Sequence, residues 1–511
     1  MKKRLTRLLL SLSLICGLLT GCWQEEAENE SLTPIQSVPE DTGTGEARTI
    51  LPEVFSLPYA PDQSLDPITC PDGMQQTVCS LLYEGLFRLN GNLEPEPWLC
   101  ASYTYDPDSC TYTLLLREGV TFSDGSPLTA ADVRATLNRA KTSERYRDRL
   151  SQVTSVKADG NTVTITLSAP NTGFPALLDI PIAKSGTEQN TAPLGTGPYL
   201  FSATDSTACL VSNQSWWQGG GQPVDRIFLA EAVDRDTMLY RFTSHDVQLI
   251  TADLTGTDPI SATGNTSYQD ADTTILQYIG CNVTQAPLDS AAFRKALWCG
   301  FNRTYIVSAF LSGHGKAAQF PVSPLSSLYP AELEEEYSQE HFATALTASG
   351  YTADRTLTLL VNAENSFKVS VAEYLASSLT SAGVPVEVRS LPWEEYTAAL
   401  AAGDFDLYYG EVKLTADWDL SSLLASGGAL NYGGWANPQT DQLLATYAAA
   451  ADRSAAMNAL CGHLRSQAPI LPVCFKSTSV LMQTDVLENL SPTMSEPFYD
   501  LPSCVIHLRE E

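Results

Sequence analysis

Helix patterns and short strand patterns alternate along both halves of this 511-residue chain, and the alternation limits the folds it can adopt. Capping residues and apolar periodicity predict helices over 129–141, 290–299 and 367–382, and a further helix that begins at Asn437-Pro438. Strands are predicted at 113–120, with apolar residues on both faces, and in a hairpin formed by 153–157 and 163–167. This alternation favours an α/β fold with two sheets.

The length and the charge of the chain narrow its class. A chain of 511 residues is too long for one compact core and long enough for two or three domains. Its 43% hydrophobic content is typical of a soluble globular protein. With 59 acidic against 30 basic residues the net charge is -29, which would repel a phosphate backbone and therefore excludes nucleic acid as a partner.

The N-terminal segment predicts export and a lipid anchor. Four basic residues within 2–7 precede an apolar run over 8–19 that is too short for a comfortable membrane span, so residues 1–21 are predicted to be a signal peptide. The run ends in Leu19-Thr20-Gly21-Cys22, which resembles the bacterial lipobox. The resemblance implies that Cys22 is lipidated after cleavage; the alternative is a plain signal peptide followed by a chance cysteine.

Residues 22–47 are predicted to be the lipidated cysteine and a disordered acidic tether. Residues 23–47 hold seven acids, no Lys or Arg, and few apolar side chains that could order them. No other apolar run approaches the roughly 20 residues that a spanning helix needs. We therefore expect an extracytoplasmic protein, lipid-anchored at the outer face of the plasma membrane or on its periplasmic side.

Ten cysteines remain besides Cys16 and Cys22. An even number in an exported chain permits disulfides, and small buried core residues are the equal alternative. The pairs nearest in sequence are Cys70–Cys79 and Cys100–Cys110. The cysteines show no CxxC zinc spacing and the five histidines show no ligand spacing, so no metal or other cofactor is expected and nickel is disfavoured as a ligand.

A series of motifs gives the sequence its family resemblance. Residues 112–133 read YTLLLREGVTFSDGSPLTAADV. Shorter blocks surround it in order: SLDP at 64–67, YEGLF at 83–87, LGTGPY at 194–199, NQSWW at 213–217, FRKAL at 293–297, GDFD at 403–406 and NPQTD at 437–441. From about residue 48 to its end the chain resembles the family 5 extracellular solute-binding proteins, the peptide- and nickel-binding components of ABC importers.

The resemblance implies a two-lobed, type II periplasmic-binding-protein-like fold with a hinge of two crossing strands. Lobe 1 is expected to be discontinuous, and lobe 2 is expected over 275–473. The parts assigned to lobe 1 are 48–68, 187–274 and 474–511, with a family-specific domain, 69–186, placed on it. Apolar runs at 274–279 and 471–475 suit buried crossing strands. A cleft between such lobes closes over its ligand by hinge motion.

The resemblance also implies where a peptide ligand would bind. In peptide-binding members an aspartate just after the GDFD strand pairs with the ligand's N-terminal ammonium, and Asp417 falls at that position, with Asp419 as the alternative. The chemistry suits it, because a buried ammonium needs a charged, hydrogen-bonding partner. Thr415 and Trp418 flank Asp417 and are assigned to the same site. A loop-capping or helix-capping role is the alternative for Asp417.

The chain departs from the dipeptide-binding pattern in two places. Asn362 stands where dipeptide binders hold a carboxylate-binding arginine, so a ligand carboxylate would be held by Lys413 or Lys368, or not at all. The segment after Asp417 is short and carries Tyr432 and Trp435, which line side-chain pockets or belong to the core. An oligopeptide is therefore favoured over a dipeptide. The loop 69–73 matches a stretch beside the ligand in the peptide binders.

The expected function is capture of a peptide and its delivery to a membrane permease and its ATPase by a monomeric binding protein. The alternatives are a signalling-peptide receptor and a binder of a non-peptide solute. A secreted hydrolase is disfavoured, because the sequence contains no GxSxG, no HExxH and no SxxK with its partner motifs.

Overall fold

The computed structural model describes residues 51–204, 207–260 and 265–510, which belong to one compact unit, Thr49–Glu511. The predicted signal peptide, the lipid acceptor Cys22 and the acidic tether lie outside the described residues. Within the described ranges, no helix combines the length and apolar character needed to cross a bilayer.

The structure alternates strands and helices throughout. The strands β1 to β21 are Ser56–Tyr59, Glu84–Gly85, Phe87–Leu89, Pro95–Pro97, Cys100–Asp106, Thr111–Leu116, Val153–Asp159, Thr162–Leu167, Pro181–Ile182, Tyr199–Thr204, Thr207–Ser212, Arg226–Glu231, Leu249–Ala252, Thr266–Cys281, Gly315–Ala317, Leu357–Asn362, Val386–Leu391, Leu407–Lys413, Ile470–Gln483, Leu487–Glu488 and Val505–Ile506. The helices α1 to α11 are Met74–Leu82, Ala130–Ala140, Arg235–Thr243, Ala291–Cys299, Arg303–Phe310, Gln339–Ala348, Ser366–Ser381, Trp393–Ala402, Ser421–Leu424, Pro438–Ala449 and Arg453–Gln467.

Two long antiparallel strands, β14 and β19, run through the largest sheet. This seven-stranded sheet has the order β13-β19-β14-β18-β16-β17, and β15 also pairs with β19. One end of the β14–β19 pair is bordered by β13, and the other end carries β18 and the parallel strands β16 and β17. Both strands are mostly buried, as the apolar runs predicted, and they form the crossing strands expected of the hinge.

Two smaller four-stranded sheets lie in the first half of the chain. One has the order β1-β12-β11-β10 and the other has the order β5-β6-β8-β7. Separate hydrophobic cores cover the seven-stranded sheet, the β5-β6-β8-β7 sheet and the β1-β12-β11-β10 sheet. The boundaries proposed for lobe 1, the family-specific domain and lobe 2 stay predictions.

The helices and the hairpin that local sequence signals predicted are found in the structure. Thr129 caps α2, with its backbone N–H donating to the Asp132 carboxylate at 3.0 Å, and Ser290 and Asn437 cap α4 and α10. The predicted hairpin is β7–β8. The strand predicted at 113–120 was wrong in extent and burial: β6 ends at Leu116, before the turn at Gly119 with φ +79°, and Leu115 is exposed because one face of this sheet meets solvent.

The cysteine pairs have different outcomes. The ten described cysteines are unbridged thiols. A Cys100–Cys110 disulfide is excluded by register, because Cys100 pairs with Leu116 at one end of the β5–β6 hairpin and Cys110 lies at the turn at the other end. Cys70 and Cys79 are close, with 3.8 Å between their sulfur atoms.

Three of the sequence motifs meet at one buried carboxylate, Glu84. Its Oε1 accepts hydrogen bonds from the indoles of Trp98 at 2.9 Å, Trp216 at 3.1 Å and Trp217 at 3.2 Å. Its Oε2 accepts from Trp217 at 2.9 Å and from the Thr196 hydroxyl at 2.7 Å. The motifs at 83–87, 194–199 and 213–217 therefore share one structural task, which is to satisfy a buried acid.

Candidate ligand-binding cavity

A cavity of about 800 Å³ lies where the loop before α1, the segment after α2 and the end of β18 come together. Its size falls within the range of about 300–1,000 Å³ typical of small-ligand sites. The wall is formed by Pro67–Asp72, Gln76, Cys79, Ser80, Leu89, Ser143–Tyr146, Asp148, Arg149, Ala176, Asp179, Pro181, Lys413–Ala416, Met494 and Ser495. The structure thus brings residues 69–72 of the predicted loop 69–73 together with the predicted residues Lys413 and Thr415.

Arg145 fastens the loop to the segment after α2. Its guanidinium donates to the carbonyl oxygen of Cys70, to the Asp72 carboxylate at 3.1 Å and to the Pro67 carbonyl at 3.4 Å. It also donates to the sulfur of Cys70 at 3.6 Å. One planar cation therefore organises four acceptors of a loop that has no regular secondary structure.

Arg149 lies four residues further along the chain, and its guanidinium has a carboxylate partner in the cavity wall. It forms an ion pair with Asp179 and donates to the Ala176 carbonyl at 3.4 Å. Burial lowers the pKa of Arg149 to about 10, while Tyr146 and Asp417 favour its charged form. The guanidinium remains charged at neutral pH, but its charge is already balanced by Asp179.

Lys413 differs from the two arginines. It is exposed to the cavity, and among the ion pairs formed by the described residues none involves its ammonium. The removal of water by the cavity walls lowers its pKa, opposed by Asp72 and assisted by the repulsion of Arg149 and Arg145. Lys413 is therefore a cation whose charge has no close counter-ion in the described structure.

Asp417 lies immediately behind the wall. It is buried, with Oδ2 accepting from the Asn171 amide at 2.8 Å and Oδ1 accepting from the Thr415 hydroxyl at 2.5 Å. Its carbonyl oxygen accepts from the Tyr447 hydroxyl at 2.8 Å and from Arg453. The Asp417 carboxylate thus joins the segment after β18 to Asn171 through hydrogen bonds. Thr415, which lines the cavity, lies between this carboxylate and the cavity.

The other predicted ligand residues lie away from the cavity wall. Trp418 is fully buried with its ring edge-on to Phe475, and Tyr432 packs edge-on against Tyr408. Asn362 is buried, with its side-chain oxygen accepting from the Glu364 N–H at 3.1 Å. Asp419 accepts from the Ser421 N–H at 2.9 Å. All four have local structural contacts in this conformation.

Two further side chains that the sequence suggested as ligand contacts, Lys368 and Trp435, also have other partners. Lys368 forms an ion pair with Glu411 at 3.2 Å. The indole of Trp435 donates to the Thr440 hydroxyl at 3.2 Å, and the guanidinium of Arg294 lies 5.5 Å from its ring centre. Neither lines the cavity.

A second cavity, of about 480 Å³, contains a group of metal-ligand types that sequence spacing did not reveal. The ligand atoms of Cys299, Glu335 and His341 lie within 4.8 Å of one another. Glu335 is also 3.5 Å from Arg465, and burial raises the pKa of the Cys299 thiol to about 11. A cation here would have to compete with the arginine and displace the thiol proton.

Sequence reasoning missed Arg145, Arg149 and Asp179, although they form much of the charged wall. They come from segments far from β18 in the chain, and only the fold brings them together. The available signal was three arginines within residues 145–149 of a strongly acidic chain, a local cluster with no motif around it.

Comparison with known proteins gives consistent matches. The profile described as "Bacterial extracellular solute-binding proteins, family 5 Middle" matches residues 94–431. The glutathione-binding protein GsiB of Escherichia coli K12 is 27% identical over 410 residues, covering 75% of this chain and 80% of that protein.

Solved structures are similar as well. The substrate-binding protein CtaP of an ABC transporter from Listeria monocytogenes superposes with a TM-score of 0.72 at 20% identity, covering 89% of this chain and 99% of that one. A nickel ABC transporter protein from Bacillus halodurans gives a TM-score of 0.75 at 21% identity, with coverage of 89% and 99%. These likenesses confirm the expected two-lobed type II fold.

Proposed function

Because the chain belongs to the bacterial extracellular solute-binding proteins of family 5, the substrate-binding components of ABC importers, we propose that it captures a peptide in the 800 Å³ cavity and delivers it to a membrane permease. Proteins of this family bind solutes rather than transform them. The cavity then has to bind the charged groups of the ligand, exclude water from it and later release it, without catalysing a reaction.

The unpaired ammonium of Lys413 carries the peptide proposal. Arg145 and Arg149 already have carboxylate partners in Asp72 and Asp179, so Lys413 is the wall cation most able to gain from an anionic ligand group. A charge-assisted hydrogen bond from a partly desolvated ammonium to a carboxylate is stronger than one between neutral groups. The C-terminal carboxylate of a peptide, or an acidic side chain, fits this requirement.

The cationic end of a peptide also has acceptors in the wall. Glu144 and Asp148 are exposed acids lining the cavity. Asp417 stays our proposed anchor for a buried N-terminal ammonium, and such an ammonium would replace Asn171 or share the carboxylate with it. Acetylating the peptide's amine would then weaken binding to the native protein, and Asp417→Asn would abolish the difference between free and acetylated peptide.

The relatives are named for different ligands, glutathione and nickel among them, and the residues of the cavity wall favour an organic ligand. Glutathione is itself a small peptide with two carboxylates and one ammonium, so a ligand of that kind falls within the proposal. The resemblance to the nickel transporter protein is at 21% identity and supports only the shared fold. The cavity wall contains two thiols but no histidine among its described residues, which argues for an organic ligand.

The test begins with ligand released from the purified protein by denaturation and identified by mass spectrometry. Titration calorimetry then compares that peptide with its C-terminal amide on native protein and on Lys413→Met. We expect Lys413→Met to lose roughly 10- to 100-fold in affinity for the free acid, equivalent to about 1.4–2.8 kcal/mol. The amide should bind native protein and variant nearly alike.

Lys316→Met is the matched control, because Lys316 is a half-exposed lysine, outside the cavity wall, 3.8 Å from Asp272. Its affinity for the free acid should equal that of the native protein. If the acid and the amide bind the native protein equally well, Lys413 does not read a carboxylate. If the released ligand is not a peptide, the cargo proposal is wrong while family membership stands.

We also propose that the chain is held at the membrane by lipid on Cys22, with residues 23–47 as an acidic tether. The motif Leu19-Thr20-Gly21-Cys22 after a basic and apolar segment supports this. Two or more acyl chains anchor a protein stably, whereas a single chain is marginal. Cys22→Ser should leave the protein in the soluble fraction or as uncleaved precursor; a cleaved variant that still partitions with membranes would contradict the proposal.

A further inference from the structure

Two cysteine thiols lie side by side in the wall of the cavity. The sulfur atoms of Cys70, in the loop before α1, and Cys79, within α1, are 3.8 Å apart, which is van der Waals contact. Both residues are shielded from bulk solvent, with exposures of 2% and 4%, yet both line the 800 Å³ cavity. A small molecule that enters the cavity therefore meets a dithiol.

The two thiols have unequal surroundings. The sulfur of Cys70 accepts from Arg145 at 3.6 Å. The single proton of the Cys79 thiol is shared between two acceptors, the Cys70 sulfur at 3.8 Å and the Leu65 carbonyl oxygen at 3.4 Å. The hydrogen bond from Cys79 lowers the pKa of Cys70 to about 7, against burial and with further help from Arg145; Asp66 opposes this. Burial raises the pKa of Cys79 well above its usual value.

We propose that Cys70 and Cys79 are a reactive dithiol that undergoes thiol–disulfide exchange with small disulfides entering the cavity, with Cys70 as the attacking thiol and Cys79 as the resolving one. The division of roles follows from the contacts. Cys70 has a cation and a donor that stabilise its thiolate, while Cys79 is positioned to displace whatever is joined to the Cys70 sulfur.

The exchange balances in two steps. The Cys70 thiolate attacks one sulfur of a disulfide R–S–S–R, forming Cys70–S–S–R and releasing R–S⁻. Cys79 then loses its proton and attacks the Cys70 sulfur, forming the Cys70–Cys79 disulfide and releasing the second R–S⁻. The two thiol protons of the protein pass to the two released thiolates, so one protein dithiol is oxidised as one small disulfide is reduced.

The bridge would alter the ligand cavity. The Cys70 sulfur would no longer be a thiolate acceptor for Arg145, whose other contacts hold Asp72 and the loop carbonyls. The loop would also be joined covalently to α1, since Cys79 lies within that helix. The proposal concerns the cavity wall and does not depend on which peptide the cavity binds.

The test treats the reduced full-length protein with hydroxyethyl disulfide, alkylates the remaining thiols and maps the peptides by mass spectrometry. In the native sequence we expect the Cys70–Cys79 pair to release two equivalents of mercaptoethanol and to form a direct link. Cys79→Ser should stop at a stable mixed disulfide on Cys70. Cys70→Ser should leave Cys79 unmodified. The native protein alone already tests the link, so the proposal does not depend on the folding of either variant.

Two further measurements separate a tuned thiolate from mere proximity. The alkylation rate of Cys70 in Cys79→Ser reports the thiolate fraction, and Arg145→Gln should slow it at neutral pH and move its pH midpoint upward, with Arg145→Lys restoring part of the rate. Cys110 provides the reference thiol, because it is partly exposed and its sulfur donates to the Pro107 carbonyl oxygen at 3.7 Å. It should form a mixed disulfide that is never resolved.

Three results would overturn the proposal. The first is that Cys70 and Cys79 both remain free for alkylation while Cys110 is modified. The second is a mixed disulfide on Cys70 of the native protein that persists without closing. The third is a Cys70 alkylation rate that Arg145→Gln leaves unchanged. Peptide affinity is measured separately, so failure here leaves the cargo proposal intact.

Discussion

Glu84 shows how a single side chain can hold distant parts of the chain together. Burial raises its pKa, and the hydrogen bonds from Thr196 and the three tryptophans act in the opposite direction. Indole N–H groups only donate, so each needs an acceptor when buried. Arg88 and Arg117 lie over the rings of Trp98 and Trp217, at 3.6 Å and 4.7 Å from the ring centres.

Replacing Glu84 by glutamine should destabilise the protein although the shape is kept. The amide NH₂ cannot accept, so at least one donor among the indoles and the Thr196 hydroxyl loses its acceptor. Leaving one buried polar group unsatisfied costs about 1–3 kcal/mol. Urea unfolding measures the change, with Glu118→Gln on an exposed residue as the control, which should stay within about 0.5 kcal/mol. Equal stability of both variants would show that Glu84 is not a required acceptor.

Among individual residues, the sequence predicted cavity positions best where a residue lies next to an element that can be recognised from the sequence. Lys413, Thr415 and residues 69–72 lie at the wall, and each is close in sequence to a recognisable element, β18 or α1. Trp418 was assigned to the ligand by its neighbour, but its φ of +56° directs the chain so that the indole enters the core. A left-handed backbone conformation at one residue cannot be recognised from the side-chain type, so the sequence did not show that this indole is buried.

Among the elements, the crossing strand β19 carries a buried charged residue, Lys476, which forms ion pairs with residues next to β13 and on β18. Lys476 is 2% exposed in its side chain, and its ammonium lies 2.6 Å from Asp253 and 3.7 Å from Glu411. Glu411, on β18, is shared with Lys368 of α7 at 3.2 Å. Asp253 directly follows β13, so one lysine connects both ends of the β14–β19 pair.

Lys476→Met should destabilise the protein by about 1–3 kcal/mol. Removing one partner of a buried ion pair leaves its counter-charge uncompensated, which costs about 3–5 kcal/mol when burial is complete. Asp253 is 37% exposed and Glu411 keeps Lys368, so we expect the lower figure. Thermal and urea unfolding check it, and adding Asp253→Asn should restore part of the loss through a non-additive effect.

Lys316→Met, on the neighbouring strand β15, is again the control, because its pair with Asp272 is longer and more exposed. Such surface pairs contribute about 0–1 kcal/mol. Equal losses for Lys476→Met and Lys316→Met would refute the role given to the buried lysine.

Elements with strong local signals could be predicted from sequence, and the cavity could not. The caps of α2, α4 and α10 depend on side chains within three residues of the helix start, so Thr129, Ser290 and Asn437 were sufficient. The burial of β6 depends on what covers its other face, which is a tertiary property. The same holds for Arg145, which reaches a loop more than 70 residues away in the chain.

For the whole molecule, the dependence of stability on pH is the sum of proton-binding differences between the folded and unfolded chain. A group whose pKa is raised on folding lowers the free energy of unfolding as pH rises, and a group whose pKa is lowered on folding raises it. Asp124, whose pKa Lys184 lowers to about 2, favours the folded state at higher pH, although its exposure makes the contribution small.

Glu496 should act the opposite way, and its effect can be isolated. Burial raises its pKa to about 7, with Arg88 opposing and Glu84 and Glu96 adding to the shift. An unfolded glutamate has a pKa of about 4.3. Between these values the folded protein binds a proton that the unfolded chain releases, so the free energy of unfolding falls as pH rises from about 4.5 to 7 and then levels off. The total change from this group is on the order of 3–4 kcal/mol.

Glu496→Gln removes the titration while keeping a neutral side chain of the same shape. The difference in unfolding free energy between the variant and the native protein should therefore increasingly favour the variant as pH rises from 4.5 to 7, and it should be constant above pH 7.5. Urea unfolding at half-unit pH steps measures it, with Glu118→Gln, a substitution at an exposed residue, as the control. A Glu496→Gln difference that is flat across the window would mean that Glu496 titrates in the folded protein as it does in the unfolded chain.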